Sequence, residues 1–172
     1  MTSGTTSATV LVPRSERIEL RVITPASAAE LAGEIGDGGF VWAPGGPYGG
    51  TRDACRMIVK AAEGGVYQPG WGAFAIVRLE DGAAIGGVGF HGPPDAGSVE
   101  IGYDLAESAR GRGFATEAVR LLTAHALAVP GVTRVLAHTD PANTASQAVL
   151  LRAGFVRDGD NEDGLPRFLL VG

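Results

Sequence analysis

The chain has 172 residues, 45% hydrophobic and 19% charged, enough for one buried core and too little charge for a disordered polyelectrolyte. A net charge of −5 disfavours a general nucleic-acid binder, which needs a basic face to displace counterions. No apolar run approaches the roughly 20 residues of a membrane span, and the single cysteine, Cys55, can close no internal disulfide and marks no metal knuckle. The expectation is a soluble, cytoplasmic globular domain with no metal, no membrane and no nucleic acid among its partners.

Residues 1–12 read as a flexible lead, and residues 13–172 as one domain. The Ser/Thr/Gly-rich start has neither the basic nor the apolar region of a secretory signal. Alternation around Leu20 and Val22 predicts a strand over 19–24, followed by a short helix over 26–35. A glycine-studded loop spans 36–50, and loops of that length in compact domains are commonly binding loops or lids. Thr51 is placed to N-cap a second helix that runs to Glu63. Two strand-like runs, 72–79 and 83–90, flank the turn Glu80-Asp81-Gly82 and predict a hairpin. A further strand over 98–106 sets Val99, Ile101, Tyr103 and Leu105 on one face and Glu100, Gly102 and Asp104 on the other.

The second half is more regular. Helical spacing over 113–129 ends at Pro130-Gly131. A strand follows over 133–139, then a helix over 143–153 closed by Gly154. Strands over 155–157 and 167–171 complete the chain. Helices first, an antiparallel block next, then strand–helix–strand–helix–strand: this order predicts an α+β, or mixed α/β, domain.

Composition is biased towards 27 glycines, and Lys60 is the only lysine beside many arginines. A GC-rich genome produces both biases, but they gain chemical content where they cluster. The densest cluster is Ala109-Arg110-Gly111-Arg112-Gly113-Phe114-Ala115-Thr116, between a predicted strand and a long predicted helix. Glycines let the backbone approach a ligand closely. The free amides and positive dipole end of the helix suit a pyrophosphate, and Arg110 and Arg112 add charged forks. Thr116 adds a hydroxyl in the first turn. A Walker A loop is excluded because no Lys-Ser/Thr pair follows the glycines. A dinucleotide fingerprint lacks its third glycine, since Thr116 stands there, and too little chain follows for a doubly wound sheet. A coenzyme A loop fits best.

Arg110-Gly-Arg-Gly113-Phe-Ala115 resembles the Arg/Gln-x-x-Gly-x-Gly/Ala signature of the GNAT superfamily of N-acetyltransferases. Glu100-Ile-Gly-Tyr103, Asn143-Thr-Ala-Ser146 and Ala153-Gly154-Phe155 stand in the family's order and spacing. From about Arg17 to Val171 the chain is similar to the branch that contains the ribosomal-protein N-terminal acetyltransferases. The resemblance implies a twisted, mostly antiparallel central sheet flanked by helices, with two parallel strands splayed into a cleft for acetyl-CoA. It implies acetyl transfer from acetyl-CoA to a primary amine, on a protein N-terminus or a small molecule, and by analogy a homodimer. A non-catalytic module of the same fold that senses coenzyme A is the rival reading.

Within that resemblance, the cofactor-binding set is Leu105, Ala106, Arg110, Gly111, Arg112, Gly113, Phe114, Ala115, Thr116, Asn143 and Ser146. Free strand-edge amides at Leu105 and Ala106 are expected to hold the pantetheine arm. Glu100 is the candidate acceptor of the amine's proton, directly or through water, with His91 in reserve. Many family members carry a tyrosine four residues before the Gly-Phe pair to protonate the thiolate; Leu150 stands there. The branch resembled uses a serine four residues further upstream, and Ser146 occupies that position. Asn143 is equally well explained as a helix N-cap. His125 falls on an apolar helix face, and His138 has no partner at metal-ligand spacing. Trp42, Tyr48, Tyr67 and Trp71 are divided between an acceptor pocket and ordinary packing.

Overall fold

The computed structural model describes residues 13–172, so the expected flexible lead, 1–12, lies outside the described residues. In chain order the elements are β1 (Ile18–Val22), α1 (Pro25–Gly33), β2 (Val41–Trp42), α2 (Gly49–Glu63), β3 (Ala73–Arg78), β4 (Ala83–Phe90) and β5 (Ser98–Leu105). They continue with α3 (Phe114–Leu127), β6 (Arg134–His138), α4 (Thr144–Arg152), β7 (Val156–Asp160) and β8 (Pro166–Val171). The eight strands form one sheet in the order β1-β3-β4-β5-β6-β8-β7, with β2 lying beside β4. All neighbours in that order are antiparallel except β5 and β6. The expected mixed α/β sheet, mostly antiparallel and flanked by helices, is the observed one.

The core has two layers because the central strands are apolar on both faces. Along β3, Phe74 and Ile76 join Ile18, Leu20, Val99, Ile101 and the α3 residues Ala118, Val119 and Leu122. The alternate residues Ala73, Ala75 and Val77 join Ala28 and Leu31 of α1 and Cys55 and Ile58 of α2. Helices α1 and α2 therefore cover one face of the sheet, and α3 covers the other.

Three local expectations differ from the structure. The long loop contains β2, because Val41 and Trp42 pair in parallel with Ala83 and Ala84. Helix α2 starts at Gly49, with Tyr48 as an N-cap that makes no side-chain bond, so Thr51 is not the cap. Thr51 is instead 3% exposed in the first turn and bonded to Asp104 on β5. A tertiary partner for its hydroxyl displaced the local one.

That contact seats α2 on the sheet. Asp104 accepts the Thr51 N–H at 2.7 Å, the Thr51 Oγ1 hydroxyl at 2.6 Å and the Gly87 N–H at 2.9 Å. Gly87 has no side chain for a reason: a Cβ there would collide with Thr51 Oγ1. Asp104→Ala strands three donors at a partly buried site and should cost about 2 kcal/mol, lowering the melting midpoint by about 4–8 °C. Urea and thermal unfolding of the two proteins check this.

Candidate active site

The parallel pairing of β5 and β6 runs from Ser98↔Arg134 to Ile101↔Ala137 and stops there, while β5 continues to Leu105. On its other side β5 stays paired with β4 as far as Gly86↔Leu105. Two flanking bonds set the phase of that ladder: His91 N–H to the Glu100 carbonyl at 2.9 Å and Ala106 N–H to the Ile85 carbonyl at 2.7 Å. Antiparallel alternation then points the backbone groups of Tyr103 and Leu105 into the gap left by β6. The Leu105 carbonyl takes the Arg110 Nε–H at 3.3 Å. The backbone of Leu105, and with it that of Tyr103, thus faces the gap, whereas the Ala106 amide, expected to be free, does not. Ala106 spends its N–H on Ile85, and its carbonyl accepts the Ala109 N–H at 2.9 Å.

Directly beyond lies the glycine–arginine loop. Gly111 and Gly113 have φ of 77° and 81°, a region that side chains with a Cβ rarely occupy. Gly113 caps α3 without a side-chain bond, and Glu117 is the residue whose amide bonds back to the Gly113 carbonyl, at 3.0 Å. The amides of Phe114, Ala115 and Thr116 consequently have no helical acceptor and face outward. Arg110, Gly111, Arg112 and Gly113 are exposed, and Phe114 and Thr116 are buried beneath them.

These groups line a cleft that also contains Arg17, Arg120, Arg152, Asn143 and Ser146. Five arginines against one carboxylate, Glu117, make it strongly electropositive in an otherwise acidic chain. Arg17 was not apparent from the sequence, lying 95 residues from the loop it braces. Its Nη1 donates to the Arg112 carbonyl at 3.0 Å, its Nε donates to Glu117 at 2.9 Å, and its guanidinium stacks 4.3 Å from the Phe114 ring centroid. Arg120 similarly donates to the Arg152 carbonyl at 2.6 Å, fastening α3 to the end of α4.

Across the cleft, Asn143 Oδ1 accepts the Ser146 N–H at 3.0 Å, so Asn143 is the N-cap of α4 and also borders the cleft. Ser146 Oγ lies 2.6 Å from the Tyr103 hydroxyl, which is also 3.0 Å from the Ser146 carbonyl. The phenol has one proton for two acceptors. Whenever it donates to Oγ, the serine proton is free to point elsewhere. Burial raises the Tyr103 phenol above its ordinary 10.0, and the Ser146 bond partly offsets this. Leu150, at the position of the family tyrosine, is fully buried.

On the opposite face, between α2 and the ends of β4 and β5, is a second cavity of about 350 Å³. Tyr67 and Trp71 line it, whereas Trp42 and Tyr48 pack edge-on against each other at 6.5 Å. Tyr103 borders both cavities, so the two meet at the end of the splay.

Beside this junction Glu100 is held between two imidazoles. His138 Nδ1–H donates to Glu100 Oε1 at 2.6 Å, and His91 Nδ1 lies 3.5 Å from the same oxygen. His138, for which the sequence shows only the lack of a partner at metal-ligand spacing, thus has a hydrogen-bonding partner in Glu100. Parallel pairing puts β6 beside Glu100, a proximity that no local pattern could reveal. The His91 imidazole holds the Glu100 carboxyl down to about 2 from 4.5, opposed by partial burial and joined by His138, the nearer partner by distance. His91 lines the second cavity, with its Nε2 2.7 Å from where a Cβ at Gly102 would stand; Glu100 borders neither cavity. His125 lies edge-on to Phe74 at 6.4 Å, a packing role. Burial pushes the Cys55 thiol up to about 11, which leaves it unreactive. Among the described residues no group of three or more His, Cys, Asp or Glu is placed to hold a metal, and no helix is long and apolar enough to cross a membrane.

The sheet is thus opened at one parallel junction, with a cationic cleft on one face and an apolar cavity on the other. The chain belongs to the GNAT acetyltransferase family, whose acetyltransferase (GNAT) domain matches residues 17–156. It is 35% identical over 88 residues to the uncharacterized N-acetyltransferase YjdG of Bacillus subtilis, a match covering 51% of this chain and 52% of that one. The matched segments span about half the length of the curated relatives. Among solved structures, an acetyltransferase from Agrobacterium tumefaciens superposes with a TM-score of 0.66 at 25% identity, covering 95% of each chain. The ribosomal-protein-S5-alanine acetyltransferase of Vibrio fischeri gives 0.65 at 18% identity, covering 94% of this chain and 96% of that one, a likeness of fold.

The depressed Glu100 value carries a consequence for stability. Its folded pKa lies below its ordinary one, so its contribution is present above pH 4.5 and is lost as the pH falls towards about 2. The stability of the protein relative to Glu100→Gln should be constant above that window and decline through it. Urea midpoints of both proteins from pH 7 down to pH 2 measure the difference.

Proposed function

We propose that the protein transfers the acetyl group of acetyl-CoA to a primary amine, in the cytoplasm and without a metal. The observation that carries this reading is the arginine-lined cleft, which ends at an uncapped helix N-terminus and at unpaired strand-edge groups. Anionic diphosphate is matched by Arg110, Arg112 and the amides of residues 114–116. The amide groups of the pantetheine arm are matched by the backbone of Tyr103 and Leu105. The residues present therefore fit acetyl-CoA, which is a substrate here.

The chemistry follows from having both partners at the splay. The amine enters from the cavity beside His91 and attacks the thioester carbonyl carbon. The C–N bond forms, the C–S bond breaks, and the nitrogen's surplus proton passes to His91 Nε2 and then to solvent. Glu100 acts through His91, orienting the ring by its Nδ1, because Glu100 does not reach the cavity itself. An unpaired strand-edge N–H polarises the carbonyl. The sulfur leaves into a hydrogen bond from the Ser146 hydroxyl, which Tyr103 supports, and takes up a proton from solvent to become the thiol, matching the one that nitrogen released. Fixing the two reactants in line can supply roughly 7–11 kcal/mol of barrier reduction.

Two variants separate binding from turnover. Gly113→Asp places a negative side chain at a positive-φ position where the backbone meets phosphate, and calorimetry should record no saturable acetyl-CoA binding. Ser146→Ala should bind acetyl-CoA within about twofold of the unaltered protein yet release thiol at least about tenfold more slowly. Equal turnover would remove the assigned role of that hydroxyl, and CoA binding without any turnover would leave a sensor.

A further inference from the structure

The cavity beneath α2 has a chemical character of its own. Ala54, Met57 and Ile58 form its α2 wall, and Tyr67, Trp71 and Phe90 face them. The Trp71 and Phe90 rings meet edge-on at 4.9 Å and give that wall a fixed shape. The apolar surface continues outward: Met57 is 48% and Val66 67% exposed at the rim. Fixed negative charge is scarce. Asp53, the carboxylate among the lining residues, is largely solvent-exposed and paired with Arg56 at 2.6 Å. Asp104, just beneath, has its oxygens committed to Thr51 and Gly87. A polar end is marked by His91, which is exposed and stands over Gly102.

We infer that this cavity is the acceptor site and selects a small-molecule monoamine with a compact apolar substituent, arylalkyl or branched alkyl, its nitrogen directed to His91. The inference rests on the acetyl-transfer reading and adds the acceptor class to it. A volume of about 350 Å³ is at the small end of ligand pockets, which run from about 300 to 1,000 Å³. A substituent of this kind gains by leaving water against the tryptophan and phenylalanine rings. A polyamine or an amino sugar carries further ammonium or hydroxyl groups, and the walls offer no free carboxylate to replace their hydration.

The test uses the full chain with saturating acetyl-CoA and follows thiol release across a panel of amines. Through propylamine, butylamine and hexylamine, kcat/KM should rise roughly fourfold per added methylene until the cavity is full. Phenethylamine should exceed putrescine, kanamycin and a serine-initiated peptide by about a hundredfold. If putrescine, kanamycin or the peptide is preferred, the acceptor class is overturned while the acetyl-transfer reading stands. Binding is read separately by titrating phenethylamine into the CoA-loaded protein and following Trp71 emission in a Trp42→Phe background. Saturable quenching with no turnover supports the site and its class but sinks the enzyme reading; absence of quenching overturns the site. Ala54→Phe, which fills the cavity from the surface of α2, should raise the phenethylamine KM at least tenfold and leave the acetyl-CoA KM unchanged. An unaltered phenethylamine KM in that variant would overturn the location.

Discussion

The structure turns on the place where two parallel strands stop pairing. β5 and β6 share four residues of ladder and then separate after Ile101 and Ala137. The separation frees strand-edge groups at Tyr103 and Leu105 that a closed sheet would have consumed. Unpaired peptide groups inside a protein are costly unless a ligand or water meets them. The sheet tolerates the opening because both sides stay anchored: β4 holds β5 to its end, and β8 holds β6 along its whole length. The cleft is therefore a rigid gap between two supported edges, with helix α3 opening directly at its mouth.

Electrostatics then distinguish the two ligands. The chain as a whole is acidic, yet five arginines converge on one cleft from the start of β1, the loop, α3 and the end of α4. Several of them are held by backbone carbonyls or by Glu117, so their geometry is largely set before a ligand arrives. Such preorganisation lowers the ordering cost of binding an anion. On the other face of the sheet positive charge is absent from the cavity lining apart from the titratable His91, and aromatic rings dominate. The cationic cleft and the apolar cavity thus open on separate faces and share Tyr103 at the end of the splay.

What the sequence disclosed follows from how far each signal reaches along the chain. The loop 110–116 was legible because its glycines, its arginines and the helix they open are contiguous, and their chemistry is local. The hairpin of β3 and β4 and the N-cap at Asn143 were legible for the same reason. Thr51 was misread because a local cap and a tertiary bond to Asp104 compete for one hydroxyl, and only packing decides between them. The Ala106 amide was counted as free because the phase of the β4–β5 ladder is not visible in one strand. Arg17 and His138 went unrecognised because their partners lie 95–100 and 38 residues away. Contacts of that span depend on strand order, which composition and periodicity leave open.

The order of side chains along β5 has a mechanistic meaning that emerges only with both faces in view. Glu100 and Gly102 belong to the α2 side, where His91 lines the apolar cavity. Tyr103 belongs to the α4 side, where its hydroxyl is bonded to Ser146 at the border of the cationic cleft. A strand alternates faces by construction, so the single step from Gly102 to Tyr103 carries the chain from the face of one cavity to the face of the other. His91 and Ser146 are thereby kept apart by the thickness of one strand. Gly102 makes the arrangement sterically feasible, since any larger residue would push His91 away from the junction. The Glu-Ile-Gly-Tyr sequence can thus be understood as a two-faced device, whose glycine matters as much as its charged and hydroxylated neighbours.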